Sequence, residues 1–185
     1  MIFKKLLFTR ISTLEAVFMA LMAACGLALK PIVGPLFRLI GSALLIHSGS
    51  MAGAIYMIWP MLALLTVKQI GTATIVGMMQ GIVVLVTGIY GSHGILSLIT
   101  YTVPGIFIDV VYYFIHHFQK PWLLSFPAAF GNASGSLIVC TVFLHLPKLP
   151  LMICLILSFI FGALGGYISY FIHNWLIKVF PLLDK

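Results

Sequence analysis

Carboxylates, the side chains that most often supply acid, base or hard-metal chemistry, are scarce in this chain. Its 185 residues include three of them, Glu15, Asp109 and Asp184. Only Asp109 lies well inside an apolar segment, where a charge costs roughly 2.5–3.5 kcal/mol on insertion scales and normally faces a cavity, a partner or a ligand. We interpret Asp109 as either a ligand-binding residue or an internally hydrogen-bonded structural one.

A second group of candidates combines aromatic rings with hydrogen-bonding atoms. Tyr56 and Trp59 can stack on a flat ligand, while Arg38 and His93 can bond to its polar edge. Aromatic side chains also collect at membrane interfaces without any ligand, so the group is more informative than its members. The predicted ligand-binding residues are Arg38, His47, Tyr56, Trp59, Tyr90, His93 and Asp109.

One pair of residues suggests nucleophilic catalysis. Ser134 in the segment Gly131-Asn-Ala-Ser-Gly135, together with His173, is typical of an intramembrane Ser/His protease. At 1.5 Å per residue, Ser134 lies about 20 Å from the cytoplasmic end of its predicted helix and His173 about 7 Å from that end of its own. A nucleophile and its base must lie level to share a hydrogen bond, so this hypothesis is disfavoured.

Metal, disulfide and nucleotide chemistry find little support. Cys25, Cys140 and Cys154 each stand alone in an apolar run, so we expect them to pack as small apolar side chains. His116 and His117 point about 100° apart on a helix and cannot share a simple metal site. With no Gly-x-x-x-x-Gly-Lys-Ser/Thr sequence, we predict no catalytic residue, no metal and no cofactor of the chain's own.

The elements that must position these residues are apolar helices. Hydrophobic residues make up 62% of the chain and charged residues 7%, whereas a soluble domain has roughly 25% charged residues. Apolar runs fall at 11–29, 32–47, 52–67, 71–90, 95–118, 121–146 and 150–178, separated by charges and by glycine or proline turns. We therefore predict an all-α integral membrane protein with a single transmembrane domain, 1–185.

The distribution of basic residues indicates which runs cross the membrane. The run at 32–47 is short for a crossing of about 20 residues, and it contains Pro35 and Arg38. If it does not cross, seven of the ten lysines and arginines lie on the N-terminal side; if it crosses, the bias disappears. We predict six transmembrane helices, a short or re-entrant outer element near 31–50, and both termini in the cytoplasm.

The net charge of +7 comes from basic residues dispersed at the ends of the apolar segments. This distribution indicates no nucleic-acid partner.

Small residues form two stripes at helical spacing. Ala16, Ala20 and Ala24 stand four apart in the first predicted helix. A similar surface in the last helix consists of Gly162, Gly165, Gly166 and Ser169. Such surfaces let another helix approach closely, and that helix can belong to the same bundle or to a different subunit.

With these features the chain resembles the membrane-embedded substrate-binding (S) components of energy-coupling factor transporters, which are bacterial importers of the ABC class. The Ala-x-x-x-Ala signature of that family is matched by Ala16-Val-Phe-Met-Ala20 and Ala20-Leu-Met-Ala-Ala24. Three further stretches are similar to S components assigned to thiamine precursors: Gly53-Ala-Ile-Tyr-Met-Ile-Trp-Pro60, Lys68-Gln-Ile-Gly71 and Pro104-Gly-Ile-Phe-Ile-Asp109.

The resemblance implies a subunit of the bacterial plasma membrane that captures a micronutrient, such as a thiamine-related pyrimidine, from outside the cell. It also implies that Ala16, Ala20 and Ala24 dock on a transmembrane coupling subunit. Two partner ATPases would bind ATP and Mg, so the chain itself is not expected to be an enzyme. The remaining partners are the lipid bilayer and the small-molecule ligand.

Two alternatives stay open beside the protease. Within the same transporter class, the ligand could be heme, with His47, His93 or a tyrosine ligating iron and with Lys30 and Arg38 pairing with the propionates. In a different class, the chain would be a membrane assembly or channel subunit whose glycine-rich helix faces are its main feature.

Overall fold

The fold is known from a computed structural model that describes residues 11–43, 48–88, 94–118 and 120–180. Within those ranges the chain is helical and has no strand. The helices are α1 (Thr13–Ala28), α2 (Lys30–Ala43), α3 (Ser48–Tyr56), α4 (Ile58–Val67), α5 (Thr72–Thr87), α6 (Leu96–Ile115), α7 (Pro121–Leu124), α8 (Phe126–Ile138) and α9 (Lys148–Val179), with a π-helical turn, Val139–Phe143, after α8.

Local sequence signals explain where these helices begin and end. Ser12 caps α1: its hydroxyl accepts from the Glu15 amide at 3.3 Å, and its own amide donates to the Glu15 carboxylate at 2.7 Å. This reciprocal capping box fixes the start of α1. Between α4 and α5, Lys68 and Gly71 have φ values of 57° and 93°, so the chain reverses through two left-handed residues.

The all-helical prediction is confirmed, but the predicted count of six spans is not. Four described segments are long and apolar enough to cross a membrane: Ser48–Val67, Leu96–Ile115, Pro121–Phe143 and Lys148–Val179. Thr72–Thr87 has 16 residues, which is about 24 Å of helix against a hydrocarbon core of roughly 30 Å. The helix predicted over 11–29 qualifies only when α1 and α2 are taken together as a fifth span.

The element predicted near 31–50 forms helix α2, which is bent by 42° from α1. Pro31 fits this geometry because it occupies the first turn of α2, where no intrahelical donor is needed. Pro35 lies inside the helix. Much of the apolar surface of α2 is exposed, with Ile32 at 69% and Leu39 at 73%. A bend of this size suits both a broken span and a re-entrant element, so the path of α2 through the membrane stays a prediction.

The two small-residue stripes lie in different environments. The stripe on α9 is covered by the chain itself: Gly162 lies against the backbone of α8, Gly166 against that of Ser125 between α7 and α8, and Gly165 against that of α3. Ser169 also donates to the Ile58 carbonyl at 3.1 Å. In contrast, Ala20 and Ala24 on α1 are exposed and Ala16 is half-buried. The stripe on α1 is therefore open to a partner, and that on α9 is not.

Two cysteines that are separate in sequence come together in space. Cys140 in the π-helical turn and Cys154 on α9 are both buried, and they are neighbours in space. They stand in separate apolar runs of the sequence, and the reversal of the chain between α8 and α9 brings them together. Both remain free thiols, and their burial agrees with packing as small apolar side chains.

Candidate functional site

A cavity of about 200 Å³ lies within the helix bundle, and we call it the central cavity. Helices α3, α4, α5, α6 and α8 form its walls, and Lys30 at the start of α2 reaches it. A second cavity of about 270 Å³, the α2 cavity, lies under α2 and includes Arg38. The two cavities share four residues, Lys30, Gly49, Tyr56 and Tyr101.

Close contact between α5 and α6 brings Tyr101 to this boundary. A Cβ on Gly77 would collide with the Tyr101 carbonyl oxygen, and one on Gly105 would collide with the backbone at Ala73 and Thr74. Only glycine at these two positions allows the two backbones to approach so closely. The wall formed by α5 and α6 is therefore fixed by backbone packing.

Lys30 is the cationic group at the boundary. Its Nζ lies 3.6 Å from the centroid of the Tyr101 ring and 5.0 Å from that of the Tyr56 ring. Cation–π contacts of this kind are worth roughly 0.5–2 kcal/mol each. Neither described carboxylate pairs with Lys30, since Glu15 bonds to Ser12 and Gln69 and Asp109 bonds to α5. Among the described residues, the groups that face its positive charge are therefore two aromatic rings.

Polar groups on the helices complete the central cavity. The Asn132 amide nitrogen donates to the Ser50 carbonyl at 3.0 Å and to the Ser158 carbonyl at 2.8 Å. The Gln80 amide nitrogen donates weakly to the Ala23 carbonyl at 3.4 Å. Each amide oxygen is left without a hydrogen-bond donor from the described residues, so both can accept from a ligand in the cavity.

The structure distributes the predicted ligand-binding residues over different places. Tyr56 lines both cavities and Arg38 lines the α2 cavity. Trp59 lines neither; its ring packs against Gly26 of α1, and its buried indole N–H has no hydrogen-bond partner among the described residues. The predictions for His47, Tyr90 and His93 fall outside the described residues.

Asp109 is placed away from both cavities and caps a helix. Its carboxylate accepts from the Ala73 amide at 3.3 Å, the Thr74 amide at 2.8 Å and the Thr74 hydroxyl at 2.6 Å. These donors lie in the first turn of α5, where backbone N–H groups lack intrahelical partners and the helix dipole favours an anion. Of the two roles predicted for Asp109, this geometry supports the structural one.

Removing the Asp109 cap should lower the stability of the protein but should not specifically weaken ligand binding. We expect Asp109→Ala to lower the free energy of unfolding by about 2 kcal/mol, because three donors at the start of α5 lose their acceptor. Asp109→Asn keeps one acceptor oxygen and should lose less. Denaturation of the purified variants in detergent measures both effects. Unchanged stability of Asp109→Ala together with lost ligand binding would show that the carboxylate acts on the ligand instead.

Several cavity residues were not among the predicted site residues, although most carried a signal. Gln80 and Asn132 are polar amides inside apolar runs, where such side chains usually face a cavity or a partner. Lys30 stands between the apolar runs at 11–29 and 32–47, and the heme alternative pairs it with a propionate. Tyr101 carried no signal of its own, because its place in the wall depends on the contact between α5 and Gly105.

The catalytic pair considered above does not form. The Ser134 hydroxyl donates within its own helix to the Gly131 carbonyl at 2.8 Å. The His173 Nδ1 lies 3.2 Å from the Thr66 hydroxyl on α4. Since each side chain engages a different partner, this arrangement gives Ser134 no adjacent base.

Metal-binding side chains are also dispersed. Over the described ranges, no group of three or more histidine, cysteine, aspartate or glutamate side chains is placed to hold a metal ion. His116 and His117 lie with their ring centroids 3.8 Å apart, but the His116 Nδ1 is 2.6 Å from the Tyr113 carbonyl. The described lining of the two cavities consists of amides, hydroxyls, rings, small residues and two cations.

Comparison with known proteins gives one match. The family model described as "ABC-type cobalt transport system, permease component" matches residues 14–135, which is about two thirds of the chain and includes most of the cavity lining. No curated protein and no solved structure matches the chain significantly.

Proposed function

The chain belongs to the family of ABC-type cobalt transport permease components, and on that premise we propose that it is the substrate-binding membrane subunit of an importer of the energy-coupling factor type. Family membership makes it a membrane component of an ABC-type importer. The finer role is supported above all by two neighbouring cavities that share four lining residues, because a concave site for a small molecule is what a capturing subunit requires.

The partners of this subunit are a transmembrane coupling subunit and two ATPases. Ala20 and Ala24 are exposed on α1 and leave a smooth surface on which a partner helix can pack closely. ATP and Mg belong to the ATPases, since the chain has no nucleotide-binding loop of its own. In this arrangement the chain lies in the plasma membrane of a bacterium with both termini in the cytoplasm.

The ligand that fits best is a small flat organic ring, such as a pyrimidine vitamin precursor. The cavities, at about 200 and 270 Å³, are below the roughly 300–1,000 Å³ of pockets for drug-sized molecules, which disfavours a porphyrin. Tyr56 offers a ring face for stacking, and Gln80 and Asn132 offer amide oxygens to ring N–H or amino groups.

Cobalt ion is the second candidate ligand, and the description of the family favours it. A divalent transition metal is usually held by imidazole, thiolate or carboxylate groups. The described lining of the central cavity contains none of these and contains the ammonium of Lys30. A ring compound therefore matches the described site better than the bare cation.

Mass spectrometry of the small molecule that copurifies with the chain tests this assignment. We expect one organic ring compound bound to wild type and at least tenfold less of it bound to Tyr56→Ala, because stacking on an aromatic ring is lost. Tyr167→Ala, at a position on α9 that is 43% exposed and lines neither cavity, is the matched control and should retain the compound. Stoichiometric cobalt in place of a ring compound would contradict the assignment.

A further inference from the structure

We infer that the ligand is an anion, a ring compound bearing a carboxylate or phosphate group that is held between Lys30 and Arg38. This inference rests on the proposed function and specifies the class of substrate. It assigns the ring to the central cavity and the negative group to the boundary with the α2 cavity.

The first observation behind it is the state of Lys30. This ammonium lies where the two cavities meet, within 3.6 Å of one ring centroid and 5.0 Å of another, and it makes no salt bridge with a described carboxylate. Lys30 is half-buried, and a cation even partly withdrawn from water is costly unless it is paired. Ring faces offset part of that cost, and an anionic ligand would offset the rest.

The second observation is that a further cation faces the same space. Arg38 lies two turns after Lys30 on α2, and both line the α2 cavity. A guanidinium binds carboxylate and phosphate through two parallel hydrogen bonds, and a lysine adds a point charge. The described lining of both cavities has no acidic side chain to neutralise either group.

The third observation is the division of polarity between the cavities. The uncharged acceptors Gln80 and Asn132 line the central cavity and not the α2 cavity, whereas Arg38 lines the α2 cavity and not the central one. The rings of Tyr56 and Tyr101 line both. A ligand with a ring at one end and a negative group at the other would match both parts. A bare divalent cation would meet two positive charges and no negative one.

Binding of matched ligand pairs to the full-length protein in nanodiscs tests the inference. The pairs are hydroxymethylpyrimidine with its phosphate ester, and nicotinamide with nicotinate, so that each pair keeps its ring and differs in charge. We expect the negatively charged member of at least one pair to bind wild type about tenfold tighter or more. The pair that shows this preference tells phosphate from carboxylate.

Variants of the two cations locate the effect. Lys30→Gln and Arg38→Gln should each reduce the preference for the charged member to below about threefold, while Lys30→Arg should restore most of it. Lys148→Gln removes an exposed cation at the start of α9 that lines neither cavity, and it should leave the preference unchanged. Binding of the neutral member of each pair shows whether a variant is still folded and still binds the ring.

The outcomes separate the inference from the proposed function. Equal binding of charged and neutral rings, unaffected by Lys30→Gln, would overturn the anion and leave the ring-binding function intact. If neither pair binds, the identity of the molecule that copurifies with wild type tests the inference. An anion built on another ring would support it. A neutral molecule, Co²⁺ or no bound molecule overturns it, and Co²⁺ overturns the ring assignment as well.

Discussion

A tryptophan at Ala20 is expected to reduce recovery of the complex with the coupling subunit at least tenfold while ligand binding stays within threefold of wild type. Ala20 is exposed on α1, whereas Met19 and Ala23 beside it are buried at 1% and 4% exposure. An indole would therefore project away from the bundle and separate the partner helix by several ångströms, which removes its dispersion contacts. Pull-down and ligand binding on the same purified variant measure the two effects.

Two further tryptophan variants serve as controls for the Ala20 experiment. Leu164→Trp on α9, at a side chain that is 47% exposed, should leave both the complex and ligand binding intact. Ala23→Trp places the same ring in the core and should damage both together. If Ala20→Trp also loses both properties in parallel, the stripe on α1 is needed for folding and is not the docking surface.

Asn132→Leu should lower the free energy of unfolding by roughly 2–4 kcal/mol, at about 1–2 kcal/mol for each interhelical hydrogen bond lost. The Asn132 amide joins α8 to the Ser50 carbonyl of α3 and to the Ser158 carbonyl of α9. Leucine has a similar size but no donor, so both carbonyls lose their side-chain partner. Denaturation in detergent measures the change, and ligand affinity should fall too because Asn132 lines the central cavity.

Ser134→Ala is the matched control on the same helix. Among the described residues, the Ser134 hydroxyl bonds to the Gly131 carbonyl in its own helix, so its removal should cost less than about 1 kcal/mol. Equal losses for Asn132→Leu and Ser134→Ala would show that the contacts of Asn132 across three helices contribute no more than a bond within one helix.

The positions of the helices were predictable because their signals are local. The capping box of Ser12 and Glu15 starts α1, and the charged or glycine-containing breaks separate the other helices within a few residues of the predicted boundaries. The number of spans was less predictable. The number of spans depends on whether the 16 residues of α5 cross the bilayer and whether the bent pair α1 and α2 crosses it. Local sequence alone does not determine either crossing.

The candidate site was predictable only in part because its contacts join distant segments. Tyr56 and Arg38 were predicted from residue type, and both line a cavity. The carboxylate of Asp109 could be assigned to a helix cap only once it was known to accept from Thr74 in the first turn of α5, 35 residues earlier in the chain. Trp59 faces α1 and not the cavities because α1 packs on α4 through Gly26, a contact that no local pattern reveals.

ATP-dependent uptake into proteoliposomes tests the central claim most directly. The chain is reconstituted with a coupling subunit and two ATPases, and entry of the labelled copurified molecule is followed with ATP, without ATP, and with the chain omitted. We predict uptake that requires both ATP and this chain and that is lost with Ala20→Trp. Uptake by the chain alone without ATP, or equal uptake when the chain is omitted, would contradict its role as the substrate-binding subunit of an ABC importer.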